Sequence, residues 1–495
     1  MRHLLGHLQK SGSLEPSATS SGTIAYLATL DQLEFSCPPV AEAIIRELKD
    51  QRSFLKLIAS ENYSSLAVQL AMGNLLTDKY AEGYPFHRFY AGCDQVDTLE
   101  SLAQDELMKL YGAESAYVQP HSGADANLVA FSAALMQKVQ IPFLEKLSKK
   151  TIDELSPIEF EEFRKLFTSQ KLMGMSLNSG GHLTHGYRHN LSSKLFRAVA
   201  YEVDPKTERL DYHALQQQVL QEKPTLLIAG YSAYPRRINF ATMREIADSV
   251  GAVLMVDMAH FSGLVAGGVF QGEENPVPFA HLITSTTHKT LRGPRGGFVL
   301  AKKEFSEAVN KGCPSVLGGP LPHVIAAKLI AFQEANLPSF RTYAHKIVEN
   351  ARAMAEAFLE KGARLVTGGT DNHLLIVDVS PFGLTGRQAE NALRTSAITA
   401  NRNTIPNDQQ GPWYTSGLRL GTAAMTTLGM GKEEARQIAH LIYEVLSHTE
   451  STLSPKTGLA SKAACRVPET IQKKAREETA NLLSRFPLYP EIALD

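Results

Sequence analysis

The chain has 495 residues, 43% of them hydrophobic and 20% charged, and its Lys+Arg 50 against Asp+Glu 51 leave a net charge of -1. That length exceeds what one small core can organise and predicts two domains with extensions. The near-neutral balance speaks against a nucleic-acid or membrane partner and points to a small-molecule substrate. Cys37, Cys93, Cys313 and Cys465 are far apart and form no CxxC pair. This argues against a zinc ribbon or disulfide framework and for a reducing, cytoplasmic setting. No apolar run is long enough to cross a bilayer, and the N-terminus lacks the apolar core of a secretory signal.

Residues 1–35 open with a Ser-rich stretch and are expected to be an extension, in part disordered. Residues 38–56 have helical spacing of apolar positions, whereas 60–91 are loop-like and crowded with Tyr, Gly and Asn. From about 95 to 335, short apolar runs ("SAYVQP", "TLLIAGYSAY", "AVLMVDMAH", "LITST", "GGFVLAKK") alternate with helical patterns such as "FATMREIADSVG". Apolar strands alternating with helices predict a mostly parallel sheet covered on both faces. The charged, helix-prone block 140–173 reads as a surface insertion. The large domain with its N-terminal arm is thus assigned to 36–337. A long helical pattern at 338–361, "HLLIVDVS", a helix near 386–395 and "GLRLGTAAMT" predict a smaller α/β domain over 338–450. The tail, 451–495, is expected to be peripheral or partly disordered.

Chemistry-bearing residues cluster at strand ends. In "VLMVDMAH", an apolar strand ends in Asp257, with His260 three residues on. Ligands of open parallel sheets sit beyond the carboxyl ends of strands, and a carboxylate there must be paired. Asp257 is either a helix cap or the partner of a cationic ring nitrogen. Lys289 lies 32 residues later, beyond the next strand, between His288 and Thr290. It is either an ordinary ion-pair lysine or a desolvated amine able to form a Schiff base. An Asp for a pyridinium nitrogen and a Lys for an aldehyde are the protein groups that pyridoxal phosphate requires. Ser122 and Gly123 in "QPHSGADAN" stand where a helix N-terminus can receive an anion, although most such pairs are simply caps. In "GGHLTHG", His182 and His185 have HxxH spacing. The glycines disfavour a helix and no third ligand stands at a typical distance, so no metal is expected and ring stacking is the better reading of His182. Arg419 in "TSGLRLGT" suits two-point binding of a carboxylate, with an ion pair as the ordinary alternative. Glu82 in "KYAEGYP" is flanked by Tyr80, Tyr84 and Tyr90, which would keep it partly dry.

These stretches resemble serine hydroxymethyltransferase. The resemblance is carried by "LIASENY", "KYAEGYP", "QPHSGADAN", "GGHLTHG", "VDMAHFSGLVA", "TTHKTLRGPRGG", "GGPLPHVIAAK", "GGTDNHLLIVD", "IPND" and "TSGLRLGT", in the family's order over about residues 30–445. It implies a fold-type I pyridoxal 5'-phosphate enzyme that interconverts serine and glycine with tetrahydrofolate as co-substrate, working as a homodimer. By resemblance, Lys289 carries the cofactor as a Schiff base, Asp257 pairs with its ring nitrogen, His182 stacks on the ring and His260 lies near its phenolic oxygen. Ser122, Gly123, Ser232 and His288 complete the cofactor site, with Tyr80 and Gly319 supplied by a partner subunit. Ser60 and Arg419 bind the substrate carboxylate, Glu82 and Tyr90 serve proton transfer and orientation, and Leu177, Gly181, Leu183 and Asn403 contact folate. Phe86, His87, Phe89 and Arg292 depart from the family's usual residues, "LNSGG" lacks a His common in bacterial members, and the N-terminal extension and 140–173 block have no typical counterpart. Two other classes keep parts of this pattern. A threonine-aldolase-like or aminotransferase-like enzyme would need Lys289, Asp257 and Arg419 but not "YAEGYP" or Asn403. A non-catalytic homologue would not need Lys289.

Overall fold

The computed structural model describes residues 2–11, 20–453 and 458–493. Three helices come first: α1 (Arg2–Ser11), α2 (Ser21–Ser36) and α3 (Pro38–Ser53). Residues 2–11 and 21–36 are thus helical where partial disorder is expected from composition; the Ser-rich stretch 12–19 lies outside the described residues. α3 starts on a proline, whose fixed φ suits a first helical position.

The large domain then runs through α4 (Asp94–Tyr111), β1 (Ser115–Tyr117), α5 (Gly123–Leu135), α6 (Pro157–Thr168), β2 (Lys171–Met175), β3 (Arg197–Tyr201), β4 (Leu226–Gly230), α7 (Phe240–Asp248), β5 (Val253–Asp257), β6 (Leu282–Thr286), β7 (Gly297–Ala301) and α8 (Pro322–Ala335). The seven strands form one sheet in the order β1-β7-β6-β5-β4-β2-β3, parallel except at β7, which is antiparallel to both its neighbours. Successive side chains of a strand point to opposite faces. Leu227, Ala229, Leu254 and Val256 accordingly join one core, with α4, α7 and α8, while Leu226, Ile228, Val253 and Met255 join the other, with α5. Both faces are covered, which is why these strands read as continuous apolar runs.

The 140–173 block is not a surface insertion. Phe143 and Phe163 are buried in the α5-side core, and residues 171–173 begin β2, which lies between β3 and β4 inside the sheet. Its sequence, "KLMGM", lacks the β-branched residues found in β3, β4, β5, β6 and β7.

The second domain contains α9 (Pro338–Glu360), β8 (Arg364–Leu365), β9 (Leu374–Asp378), α10 (Gly386–Thr395), β10 (Asn401–Asn403), β11 (Gly417–Gly421) and α11 (Lys432–Ser447). Its antiparallel sheet has the order β8-β9-β11-β10. Two segments assigned elsewhere by sequence join its core. Leu55 and Leu57 bury there, and Leu55–Lys56 pairs in parallel with Ile398–Thr399. From the expected peripheral tail, α12 (Glu469–Arg485) contributes Ala475, Leu482 and Leu483, and Glu450–Leu453 forms a hairpin with Ala460–Arg466. Within the tail, residues 454–457 and 494–495 lie outside the described residues.

A buried polar web ties the 80–90 loop to the large domain. Arg88 donates to Asp97 (2.7 Å), Glu100 (2.7 Å) and the carbonyls of Ala81 (2.8 Å) and Gly83 (3.0 Å). Gln119 donates to Glu100 (2.8 Å) and to the Gly83 carbonyl (2.8 Å). Glu100 is fully buried, so its charge is tolerated only through these partners. Glu100→Leu should therefore lower stability by about 3–5 kcal/mol, the range for breaking a buried pair from one side. Equilibrium unfolding in urea measures this, and a loss below about 1 kcal/mol would show that Asp97 suffices for Arg88.

Candidate active site

The carboxyl ends of β4, β5 and β6 open into a crevice of about 560 Å³ between the two domains. Ser60, Ser122, Gly123, Leu177, Gly181 and His182 line it. So do Leu183, Ser232, Asp257, His260, His288, Lys289, Asn403 and Arg419. These fourteen sequence-derived candidates come from segments spread over 360 residues, yet they share one cavity. Tyr80, Glu82, Tyr90 and Gly319 do not reach it. They form a separate group, in which Tyr80 packs edge-on against Tyr90 (ring centroids 5.0 Å apart) and against Gly319.

Asp257 ends β5 and is buried. Its Oδ2 accepts hydrogen bonds from Asn127 Nδ2 (3.0 Å) and His185 Nε2 (3.0 Å), and its Oδ1 accepts from the Ala259 amide (3.1 Å). Burial works to raise the carboxyl's pKa, but the His185 and Asn127 interactions outweigh it and hold the group well below the usual carboxylate range. The tautomer of His185 follows from geometry. The His182 amide points at His185 Nδ1 (3.3 Å), so the proton sits on Nε2, facing Asp257.

Asn127 is a hub. Its Nδ2 also donates to Thr184 Oγ1 (2.7 Å), its Oδ1 accepts from Thr284 Oγ1 (2.5 Å), and Thr184 Oγ1 lies 2.7 Å from His182 Nδ1. The Thr184 amide also donates to that Nδ1 (3.2 Å), leaving the His182 proton on Nε2. Burial first, then His185, pushes the His182 pKa down to about 4, so this ring is neutral at physiological pH. Sequence reasoning missed Asn127 as a functional residue, although it stands one helical turn beyond Gly123 in a quoted motif. It also weighed His185 only as a metal ligand. A third ligand type does stand near the pair: His182, His185 and Asp257 present ligand atoms within 4.8 Å of one another, contrary to the expectation from spacing. Their atoms are already engaged with one another and with Asn127 and Thr184.

Lys289 lies three residues beyond β6. Burial lowers its pKa to about 8; Asp257 opposes the shift, while Arg419 and Arg295 add to it. Its backbone carbonyl accepts from Asn62 Nδ2 (2.9 Å), and Asn62 Nδ2 also donates to Tyr343 (2.6 Å). Burial takes His288 down to about 3, with Lys289 and Arg295 adding to it; its Nδ1 is buried without a hydrogen-bond partner. His260 is pushed well below its ordinary value by burial and then by Lys289 and Arg419, and its Nδ1 meets His373 Nε2 at 3.2 Å. Arg419, on β11, reaches across from the small domain to the Ser232 carbonyl (2.7 Å) and to Asn401 Oδ1 (3.2 Å). Burial lowers its pKa to about 10, and no salt bridge to it occurs among the described residues.

This donor set fits pyridoxal phosphate. A primary amine and an ionised carboxylate face one cavity, and a neutral imidazole borders it. The start of α5 presents Ser122 and Gly123 to the cavity, and a Cβ on Gly123 would sit 2.7 Å from Thr286 Cγ2, so only glycine allows so close an approach.

A family model described as serine hydroxymethyltransferase matches residues 33–147 and 154–442. The 140–173 block thus has a counterpart in the family except at residues 148–153. A serine hydroxymethyltransferase of Treponema pallidum (strain Nichols) is 59% identical over 477 residues, covering 96% of this chain and 83% of that protein. Proteins of the same name from Chlamydia trachomatis serovar D (55% identical, 97% of each chain) and Chlamydia abortus (57% identical, 95% of each chain) align as extensively. With the family model covering most of the chain and these relatives nearly all of it, the chain belongs to the serine hydroxymethyltransferase family.

Proposed function

We propose that this crevice is where the chain carries out the family's reaction, in which L-serine and tetrahydrofolate give glycine, 5,10-methylenetetrahydrofolate and water. The observation that carries the reading is the convergence of Lys289, Asp257, His182 and Arg419 on one cavity. When bound, pyridoxal phosphate supplies the electron sink that lets a bond at the amino acid's α-carbon break. Lys289 would hold it through Nζ, Asp257 through its ring nitrogen, His182 by stacking on the ring face, and Ser122 and Gly123 through its phosphate. Ser232, His260 and His288 border the same space.

The chain's own groups account for the rest. Asp257 stays ionised and keeps a proton on the group it faces. Lys289, brought down to about 8, is roughly a tenth neutral at pH 7, far more than an unperturbed lysine, so its lone pair is available as a nucleophile. Arg419 is a half-buried cation without a carboxylate salt bridge among the described residues, and the substrate carboxylate would complete it. Ser60 lines the same crevice. Fixing the carboxylate fixes which α-carbon bond is aligned for cleavage. Leu177, Gly181, Leu183 and Asn403 offer an apolar and amide-bearing wall for folate. Their presence on the same cavity supports the transferase over a folate-independent aldolase. We place the reaction in the cytoplasm, a setting that four unpaired thiols suit.

We also propose that the working unit is a homodimer whose sites are shared. The Tyr80–Tyr90 loop exposes four aromatic side chains, Tyr80, Phe86, Phe89 and Tyr90, apolar surface suited to a symmetric partner. A hollow of about 660 Å³ adjoins the crevice through Ser60, His288 and Arg295 and could admit such a loop from a second copy. In that arrangement Glu82 and Tyr90 would serve proton transfer in the neighbouring site, with Tyr80 and Gly319 at its phosphate.

Glycine formation from serine should rise on adding tetrahydrofolate; a rate indifferent to tetrahydrofolate would favour the aldolase-like reading. Arg419→Lys should weaken serine binding by about 2–5 kcal/mol, because one ammonium cannot reproduce a two-point grip, while cofactor absorbance persists. An unchanged serine KM would refute that role. Mixing Lys289→Ala with Glu82→Ala under proven subunit exchange should restore about a quarter of wild-type activity, since half of randomly formed C₂ dimers are mixed and each has one intact site. No recovery would mean that both groups act within one chain.

A further inference from the structure

Lys328, on α8, is fully buried, and it lies outside the crevice. Its Nζ donates to three backbone carbonyls: Val118 (2.6 Å), Pro120 (2.9 Å) and Gly297 (2.8 Å). Three carbonyl acceptors around one amine require three N–H groups, which only the ammonium form has. No salt bridge to Lys328 occurs among the described residues. Burial lowers its pKa to about 7, while the fields of Glu100 and Asp125, both tied to the same turn, and the three carbonyls favour the charged form. Glu100 accepts from Gln119 (2.8 Å), and the Asp125 amide donates to Ser122 Oγ (3.1 Å).

The three carbonyls belong to the two backbone segments that build the anion cradle. Val118 and Pro120 lead from β1 into Ser122 and α5, and Gly297 begins β7. The segments also meet directly. The Gly297 amide donates to the Pro120 carbonyl (2.9 Å), and a Cβ on Gly297 would lie 2.4 Å from the Ser122 carbonyl oxygen. The ammonium therefore sits behind the turn that presents Ser122 and Gly123, and it clamps that turn to the strand beside β6, from which Lys289 follows. An apolar side chain in its place would leave the Val118 carbonyl and its neighbours short of a donor in a dry interior, and the turn could relax away from β7.

We propose that Lys328 is a positioning residue for the cofactor phosphate, an internal cation that holds the Ser122–Gly123 turn in its anion-binding shape. This rests on the reading of Ser122 and Gly123 as the phosphate site. The proposal concerns geometry at the phosphate end alone, so it separates from a general structural role by selectivity. Loss of overall stability weakens every ligand alike, whereas loss of the cradle weakens only the phosphorylated one.

The test compares the affinity of the apoprotein, prepared from holoenzyme, for pyridoxal 5'-phosphate and for pyridoxal. In Lys328→Met the preference for the phosphorylated form should fall on the order of tenfold, the effect of weakening one charge-assisted contact, with pyridoxal affinity nearly unchanged. Gly296→Ala provides a second route, because its Cβ would lie 2.6 Å from Lys328 Cε and 3.1 Å from Nζ and, at a φ of +158° that strains any L side chain, would disturb the turn and the ammonium together without removing the charge. It should shift the preference in the same direction, and it decides the matter if Lys328→Met does not fold. An unchanged preference in a folded variant, or an equal loss for both ligands, overturns the proposal. If the wild-type protein itself shows no preference for the phosphorylated form, the phosphate reading of Ser122 and Gly123 fails instead.

Discussion

A buried carboxylate at the end of β5 sets the terms for everything around it. Asp257 has to remain charged in a dry place, and an isolated charge there would neutralise rather than persist. The answer is a set of donors drawn from separate elements: Asn127 from α5, His185 from the loop after β2, and the Ala259 amide. Each donor is in turn fixed by something else, Asn127 by Thr284 and His185 by the His182 amide. The neighbouring strands, α5 and the His182–His185 loop thus have to dock correctly before the charge is satisfied, which makes the site a product of the whole sheet rather than of one motif.

The crevice gathers cations as well. Lys289, Arg419 and Arg295 line it, and two histidines, the buried His260 and the half-buried His288, are kept neutral beside them. Adding further positive charge to such a space is costly, so the imidazoles give up their protons first. The resulting surplus of fixed positive charge suits ligands that bring phosphate and carboxylate groups, and it matches the polarity of the α5 N-terminus.

Much of this was legible before folding was considered. Strand ends were readable because strands buried on both faces are apolar throughout, so a terminal Asp257 or a following Lys289 stands out. Resemblance to the family located Ser60, Leu177, Gly181 and Asn403, which no local pattern would single out. What escaped notice did so for physical reasons. β2 is made of Lys, Leu, Met and Gly and follows a helical block, so periodicity hid a central strand. Asn127 looks like any polar residue on a helix, because its value lies in three partners distant in sequence. The helical packing of α12 depends on Ala475, Leu482 and Leu483 finding a core shared by α11 and by residues as far back as Leu55, and the polar remainder of that helix reads as a solvated tail.

The short stretch from Leu55 to Asn62 touches both halves of the molecule. At one end Leu55–Lys56 adds a strand partner to Ile398–Thr399, and at the other Asn62 holds the carbonyl of Lys289 and accepts from Thr427 Oγ1. Between these ends the chain turns, the Glu61 amide donating to the Ile58 carbonyl (3.0 Å). A rotation of the small domain against the large one loads Asn62, whose amide holds the Lys289 carbonyl on one side and Thr427 on the other. Domain closure and the position of the reactive amine therefore share Asn62, a side chain that does not line the crevice.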